Sequence, residues 1–148
     1  KLWPAERFAA VVDALADEGA GVLISHAPNE AAEAAAVLKA ARREYATSAG
    51  LDLGTLKAIY ARAALVLTND TGPRHIAVAL QRPVVCVMVP NDPRYTALPG
   101  VEIGEVIREP VDCTPYTWPC QLKQCPIDHR CMSAISVERV LTACRTRL

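Results

Sequence analysis

Ala64-Leu65-Val66-Leu67-Thr68-Asn69-Asp70-Thr71-Gly72-Pro73-Arg74-His75-Ile76-Ala77-Val78-Ala79-Leu80 runs from one apolar segment, through a small polar turn, into another. Residues 64–68 read as a buried strand, and 76–80 as the opening of a helix. A helix that starts after a strand presents N–H groups with no partner inside the helix. Together with the positive end of the helix dipole they suit an anion, most often a phosphate. Gly72 lets such a group approach the backbone with no Cβ in the way, and the Thr71 hydroxyl adds a donor. His75 follows Thr71 by four residues, so both share one side if the helix begins at once. In the alternative reading Asp70 or Thr71 caps the helix and His75 packs on the sheet. A carboxylate beside a diphosphate is repulsive, so Asp70 suits capping the turn or bonding a sugar hydroxyl. Neither a Gly-Lys-Ser/Thr phosphate loop nor the Gly-x-Gly-x-x-Gly fingerprint occurs.

Outward from this unit the chain alternates. Trp3-Pro4 opens a helix to about Glu18, with Phe8, Val11, Val12 and Leu15 on one stripe. Gly21–Ser25 reads as a strand, and His26-Ala27-Pro28-Asn29 as a turn. Asn29 is placed to cap an alanine-rich helix from Glu30 to about Tyr45. Asp52 can cap a helix over Thr55–Ala63. After the central unit, Arg82-Pro83 leads into Val84-Val85-Cys86-Val87-Met88, an apolar run typical of a strand buried on both faces. Val101–Ile107 is a weaker strand, 108–133 is irregular, and Ser136 is placed to cap a last helix from Val137 to about Thr146. The alternation predicts an α/β fold, an open Rossmann-like parallel sheet with helices on both faces. Such sheets bind ligands at the carboxyl ends of their strands. Three polar turns fall there: 25–30, 68–75 and 89–94. Glu30 could accept from a ribose diol, or simply favour a helix N-terminus. Asn91 and Asp92, between two prolines, could bind ligand or only shape their turn.

The 148 residues fit one domain, 1–148, with an irregular Cys-rich segment at 108–133. Lys plus Arg equals Asp plus Glu, 16 each, which disfavours a nucleic-acid partner. No apolar run nears the roughly 20 residues of a membrane span. The opening at Lys1-Leu2-Trp3-Pro4, without Met, reads as a piece of a longer protein. Of six cysteines, Cys86 and Cys144 read as buried thiols. Cys113, Cys120, Cys125 and Cys131 are spaced C-x6-C-x4-C-x5-C, looser than the paired C-x2-C of structural zinc. Free thiols are the default reading; a metal site, with His129 as a substitute ligand, is the alternative. No Ser-His-Asp set, His-Glu-x-x-His pattern or tight carboxylate pair stands out, so the chain reads as better at holding a ligand than at transforming one.

Several motifs occur in a fixed order: Lys1-x-Trp3-Pro4, Asp70-Thr71-Gly72-Pro73-x-His75-x-Ala77, Pro83-Val84-Val85, and Pro90-x-Asp92-Pro93. Cys120-x4-Cys125-Pro126 to Cys131-Met132 follows, with Ile135 and Val140 beyond. Together they resemble the C-terminal half of glycosyltransferase family nine, the lipopolysaccharide heptosyltransferases, over nearly the whole chain. The resemblance implies the two-domain GT-B architecture, with this half binding an ADP-heptose-type donor. Lys1 would pair with the diphosphate, and Thr71 and Gly72 would bond it through their N–H groups. Asp70 and His75 would contact the diphosphate or sugar region, Glu30 the ribose, and Leu51 the adenine. No metal or other cofactor would be required. The catalytic base, an Asp, and the acceptor site would belong to an N-terminal half, the expected partner. One departure is Val89, where many relatives carry a glycine before Pro-Thr-Asp-Pro. The chain alone would bind nucleotide weakly, catalyse no transfer, and could pair with itself through an exposed apolar cleft wall. A cytoplasmic place is expected, at most peripheral to the inner membrane. The competing reading is a non-catalytic nucleotide-binding or regulatory domain on the same fold.

Overall fold

The computed structural model describes residues 2–89, 104–109, 111, 125 and 129–148. The element order is α1 (Ala5–Asp17), β1 (Leu23–His26), a 3-10 turn (Pro28–Glu30), α2 (Ala31–Ala40), β2 (Ala46–Ala49), α3 (Leu53–Arg62), β3 (Val66–Asn69), α4 (Gly72–Ala79) and β4 (Val84–Val87). They are followed by β5 (Gly104–Ile107), α5 (Arg130–Ser133) and α6 (Val137–Arg147). Every strand pairing is parallel: β1 with β2, and β3 with β4 with β5. The expected α/β alternation is present, but among the described residues the ladders form two sheets, and none joins β1 to β3.

Strand β4 divides the core. Val85, Val87 and Val89 pack on one face with Trp3, Val11, Leu15, Ile107, Ile135, Val140 and Cys144. Val84, Cys86 and Met88 pack on the other with Tyr60, Val66 and Ala77. The two-residue period of a strand sends successive side chains to opposite faces, so a continuous apolar run is what a sheet covered on both sides demands. Helices α1 and α6 lie on the first face, α3 and α4 on the second. Each fully buried aliphatic side chain contributes roughly 1.5–3 kcal/mol.

Two local outcomes differ from the sequence reading. Helix α2 ends at Ala40 rather than running to Tyr45, and 46–49 forms β2. Buried Asp13 on α1 draws the chain out of the helix. It accepts from the Arg42 N–H at 2.9 Å and from the Tyr45 hydroxyl at 2.6 Å. Asn29 makes no cap; instead Glu30 Oε2 accepts the Ala27 N–H at 2.9 Å. The other expected caps form: Asp52 accepts from Gly54 N and Thr55 N, and Ser136 from Arg139 N. No helix among the described residues is long and apolar enough to cross a membrane.

Candidate functional site

Strand β3 ends at Asn69, and α4 begins at Gly72, four residues before the apolar run at 76–80. Thr71 is the N-cap residue, in extended backbone, and its side chain makes no cap hydrogen bond. Its hydroxyl therefore takes no part in capping the helix. Thr71 N–H donates to Asn69 O at 2.9 Å. A γ-turn-like closure thus engages that amide within the protein. Arg74 N–H turns back to Thr71 O at 3.1 Å, and Pro73 has no N–H to offer. Gly72 N–H is left with no partner among the described residues, and Thr71, Gly72 and His75 are exposed. The usual set of orphan donors at a helix start is thus reduced here to one outward amide flanked by a free hydroxyl and an imidazole.

Asp70 pairs with Arg74 across the turn. Its Oδ1 accepts from Arg74 Nη1 at 3.0 Å, and both side chains are buried, 9% and 8% exposed. The thiol of Cys86 on β4 feels both charges of this pair. Burial pushes it up to about 12, with Arg74 lowering it and Asp70 raising it. Cys86 is therefore an inert core thiol.

The β1–β2 ladder pairs His26 with Ala49, which sets the two following loops side by side. Gly50, at φ +63, closes the second loop; a Cβ there would meet Pro28 Cγ at 3.7 Å. Glu30 and Leu51 therefore sit on neighbouring loops at the carboxyl edge of their sheet. Leu51 is exposed. The Tyr60 phenol on α3 feels the Ser25 hydroxyl and the Glu30 charge. Burial raises its pKa, the Ser25 hydroxyl lowers it, and the Glu30 charge raises it. Near the third loop, Trp3 N–H donates to Asn69 Oδ1 at 3.2 Å, while Trp3 Nε1 donates to Ile135 O at 3.0 Å. The start of the chain is thereby anchored at the phosphate-type turn. Lys1 itself, Asn91, Asp92, Cys113 and Cys120 lie outside the described residues.

The family model of glycosyltransferase family 9 (heptosyltransferase) matches residues 1–129. The chain belongs to that family. A solved glycosyltransferase family 9 structure from Veillonella parvula is similar at 28% identity and a TM-score of 0.85. It covers 99% of this chain and 42% of that one. The structure of ADP-heptose lps heptosyltransferase II from E. coli is similar at 26% identity and a TM-score of 0.81. The coverage there is again 99% of this chain and 42% of the other. The chain thus spans less than half the length of these family 9 structures. No curated protein sequence matches it.

The family 9 chain carries Thr71, Gly72 and His75 at one turn, and Glu30 and Leu51 on two neighbouring loops. It commits Asp70 to Arg74. Among the described residues no group of three or more His, Cys, Asp or Glu side chains could hold a metal. Cys131 is buried, and Cys125 Sγ accepts from the His129 N–H at 3.0 Å. Arg74, Tyr60 and the Trp3–Asn69 link were missed from the sequence. Only Arg74 carried a signal there, an opposite charge four residues after Asp70.

Proposed function

We propose that this chain is the donor-binding half of an inverting glycosyltransferase of GT-B architecture, which takes an ADP-heptose-type nucleotide sugar in lipopolysaccharide core synthesis. The observation that carries the reading is the exposed Gly72 N–H, unpartnered at the start of α4, within a family 9 sequence. The diphosphate would lie over that amide, the Thr71 hydroxyl and His75. Lys1 would supply a cation, Glu30 would accept the ribose hydroxyls, and Leu51 would cover the base.

In the reaction an acceptor hydroxyl attacks the anomeric carbon from the face opposite the diphosphate. The carbon–oxygen bond to the diphosphate breaks, and the nucleoside diphosphate leaves with the electron pair. The acceptor's proton passes to a base, an Asp of the N-terminal half. Charge growing on the leaving group is met by donors already fixed in place, which need no reorganisation during the step. No metal is required in this scheme. The work would be cytoplasmic.

Calorimetry with ADP and with the ADP-heptose donor, each with and without a chelator, tests the binding. Weak, chelator-insensitive binding of both is expected. A turnover assay of the chain with and without an N-terminal half tests the division of labour. Transfer is expected only when both halves are present; transfer by this chain alone would refute it. ADP binding without transfer in the intact protein would favour a regulatory nucleotide-binding module.

A further inference from the structure

Resting on the donor-site reading, we infer that Arg74 is a positioning residue, whose ion pair with Asp70 locks the Thr71-Gly72-Pro73 turn with the Gly72 amide facing outward. Asp70 precedes the turn and Arg74 follows it. Their contact, Nη1 to Oδ1 at 3.0 Å, therefore spans Thr71, Gly72 and Pro73, of which the first two would meet a phosphate. An exposed pair at this spacing holds little in place, because solvent screens it and the side chains stay mobile. This pair is buried, its side chains 8% and 9% exposed. In such surroundings the attraction is stronger, but desolvation cancels most of the net gain. The pair is thus a poor source of stability and a good source of a single conformation. Two backbone contacts follow the same path inside the clasp: Thr71 N–H to Asn69 O, and Arg74 N–H to Thr71 O. Asn69 is itself tied through its side chain to Trp3 N–H. Arg74 is directed inward while Thr71, Gly72 and His75 are exposed, so it acts on a ligand through the turn.

The test uses this 148-residue chain and the double variant Asp70→Asn/Arg74→Gln, which keeps the site neutral and able to hydrogen-bond. Affinity is measured for ADP and for adenosine, and circular dichroism confirms the fold. The expected result is a selective loss: ADP binding falls about tenfold, the scale of one hydrogen bond to a charged group, while adenosine binding is unchanged. Equal loss of both ligands, or loss of neither, overturns the inference. If the double variant is unfolded, Arg74→Lys replaces it, which keeps the charge without the guanidinium fork. It is read by the same ratio: a selective fall supports the positioning role, and an unchanged ratio overturns it. A parent chain that binds ADP no better than adenosine would instead sink the donor-site reading itself.

Discussion

Gly72 adopts backbone that any residue could take, and a Cβ built there would meet nothing within 4 Å. The fold does not need glycine at this place. A phosphate seated on its amide does, because a methyl group would stand beside the oxygen it receives. The variant Gly72→Ala therefore separates the two demands. Unfolding in urea is expected to stay within about 1 kcal/mol of the parent, since alanine suits a helix at least as well. ADP affinity, by calorimetry, is expected to fall about tenfold, the scale of a lost hydrogen bond to a charged group. Full ADP affinity in this variant would remove the phosphate from the turn. Gly104 shows the contrary case: its Cβ would meet Val84 O at 3.1 Å, a tight contact that the backbone of β4 would have to relieve.

At the scale of elements, the segment between α2 and β2 is held by Asp13. Burial raises the pKa of that carboxyl, and the Tyr45 hydroxyl, the Arg42 N–H and the Arg42 charge together outweigh it and hold it below the ordinary 3.8. Tyr45 moves the other way: burial and the Asp13 hydrogen bond push it up from 10.0 to about 12. A raised pKa means the fold favours the neutral phenol. That stabilisation is complete below about pH 10 and is lost as pH climbs towards about 12. The Asp13 contribution has the opposite sense and is lost only in strong acid, below 3.8. Tyr45→Phe is expected to cost about 1–2 kcal/mol at neutral pH and to flatten the alkaline part of the stability profile. Urea melts from neutral pH to about 12 would show it. An unchanged profile would mean that the phenol is not anchored by Asp13. This device also explains what the sequence concealed. Alanine-rich 31–40 continues into Ala41-Arg42-Arg43 with no breaker, so nothing local announces the end of α2. Ala46-Thr47-Ser48-Ala49 has no apolar run to announce a strand. Helix ends show the same contrast. α1 closes with Gly19 at φ +96 and bonds from Gly19 N to Ala16 O and Ala20 N to Leu15 O. α4 closes with the equivalent bonds, Gln81 N to Val78 O and Arg82 N to Ala77 O, but with Gln81 at φ 54. The first Schellman stop is readable from its glycine, and the second is set by packing. Of the candidate site, Thr71, Gly72 and His75 were readable because the turn is local. The Asp70–Arg74 clasp and the engaged Thr71 amide depend on side-chain burial and backbone path, which spacing does not specify.

Over the whole molecule, the described residues form two parallel sheets with no ladder between β1 and β3. The candidate residues divide along the same line. Glu30 and Leu51 follow the strands of one sheet, and Thr71, Gly72 and His75 follow a strand of the other. A ligand with a base and ribose at one end and a diphosphate at the other would therefore bridge the two. Binding stabilises whatever it holds, by about 2.7 kcal/mol when the ligand is at a hundred times its Kd. Amide hydrogen exchange resolves where that stabilisation falls, because local openings are suppressed only where the ligand closes them. Adenosine is expected to slow exchange in 27–31 and 50–54 alone, the loops that carry Glu30 and Leu51. ADP is expected to slow those same amides and also the Gly72 amide, which has no protein partner of its own among the described residues. Protection by ADP confined to one sheet would show that the two loop systems do not share a ligand. Glu30 and Leu51 would then be parts of the scaffold rather than of the donor site.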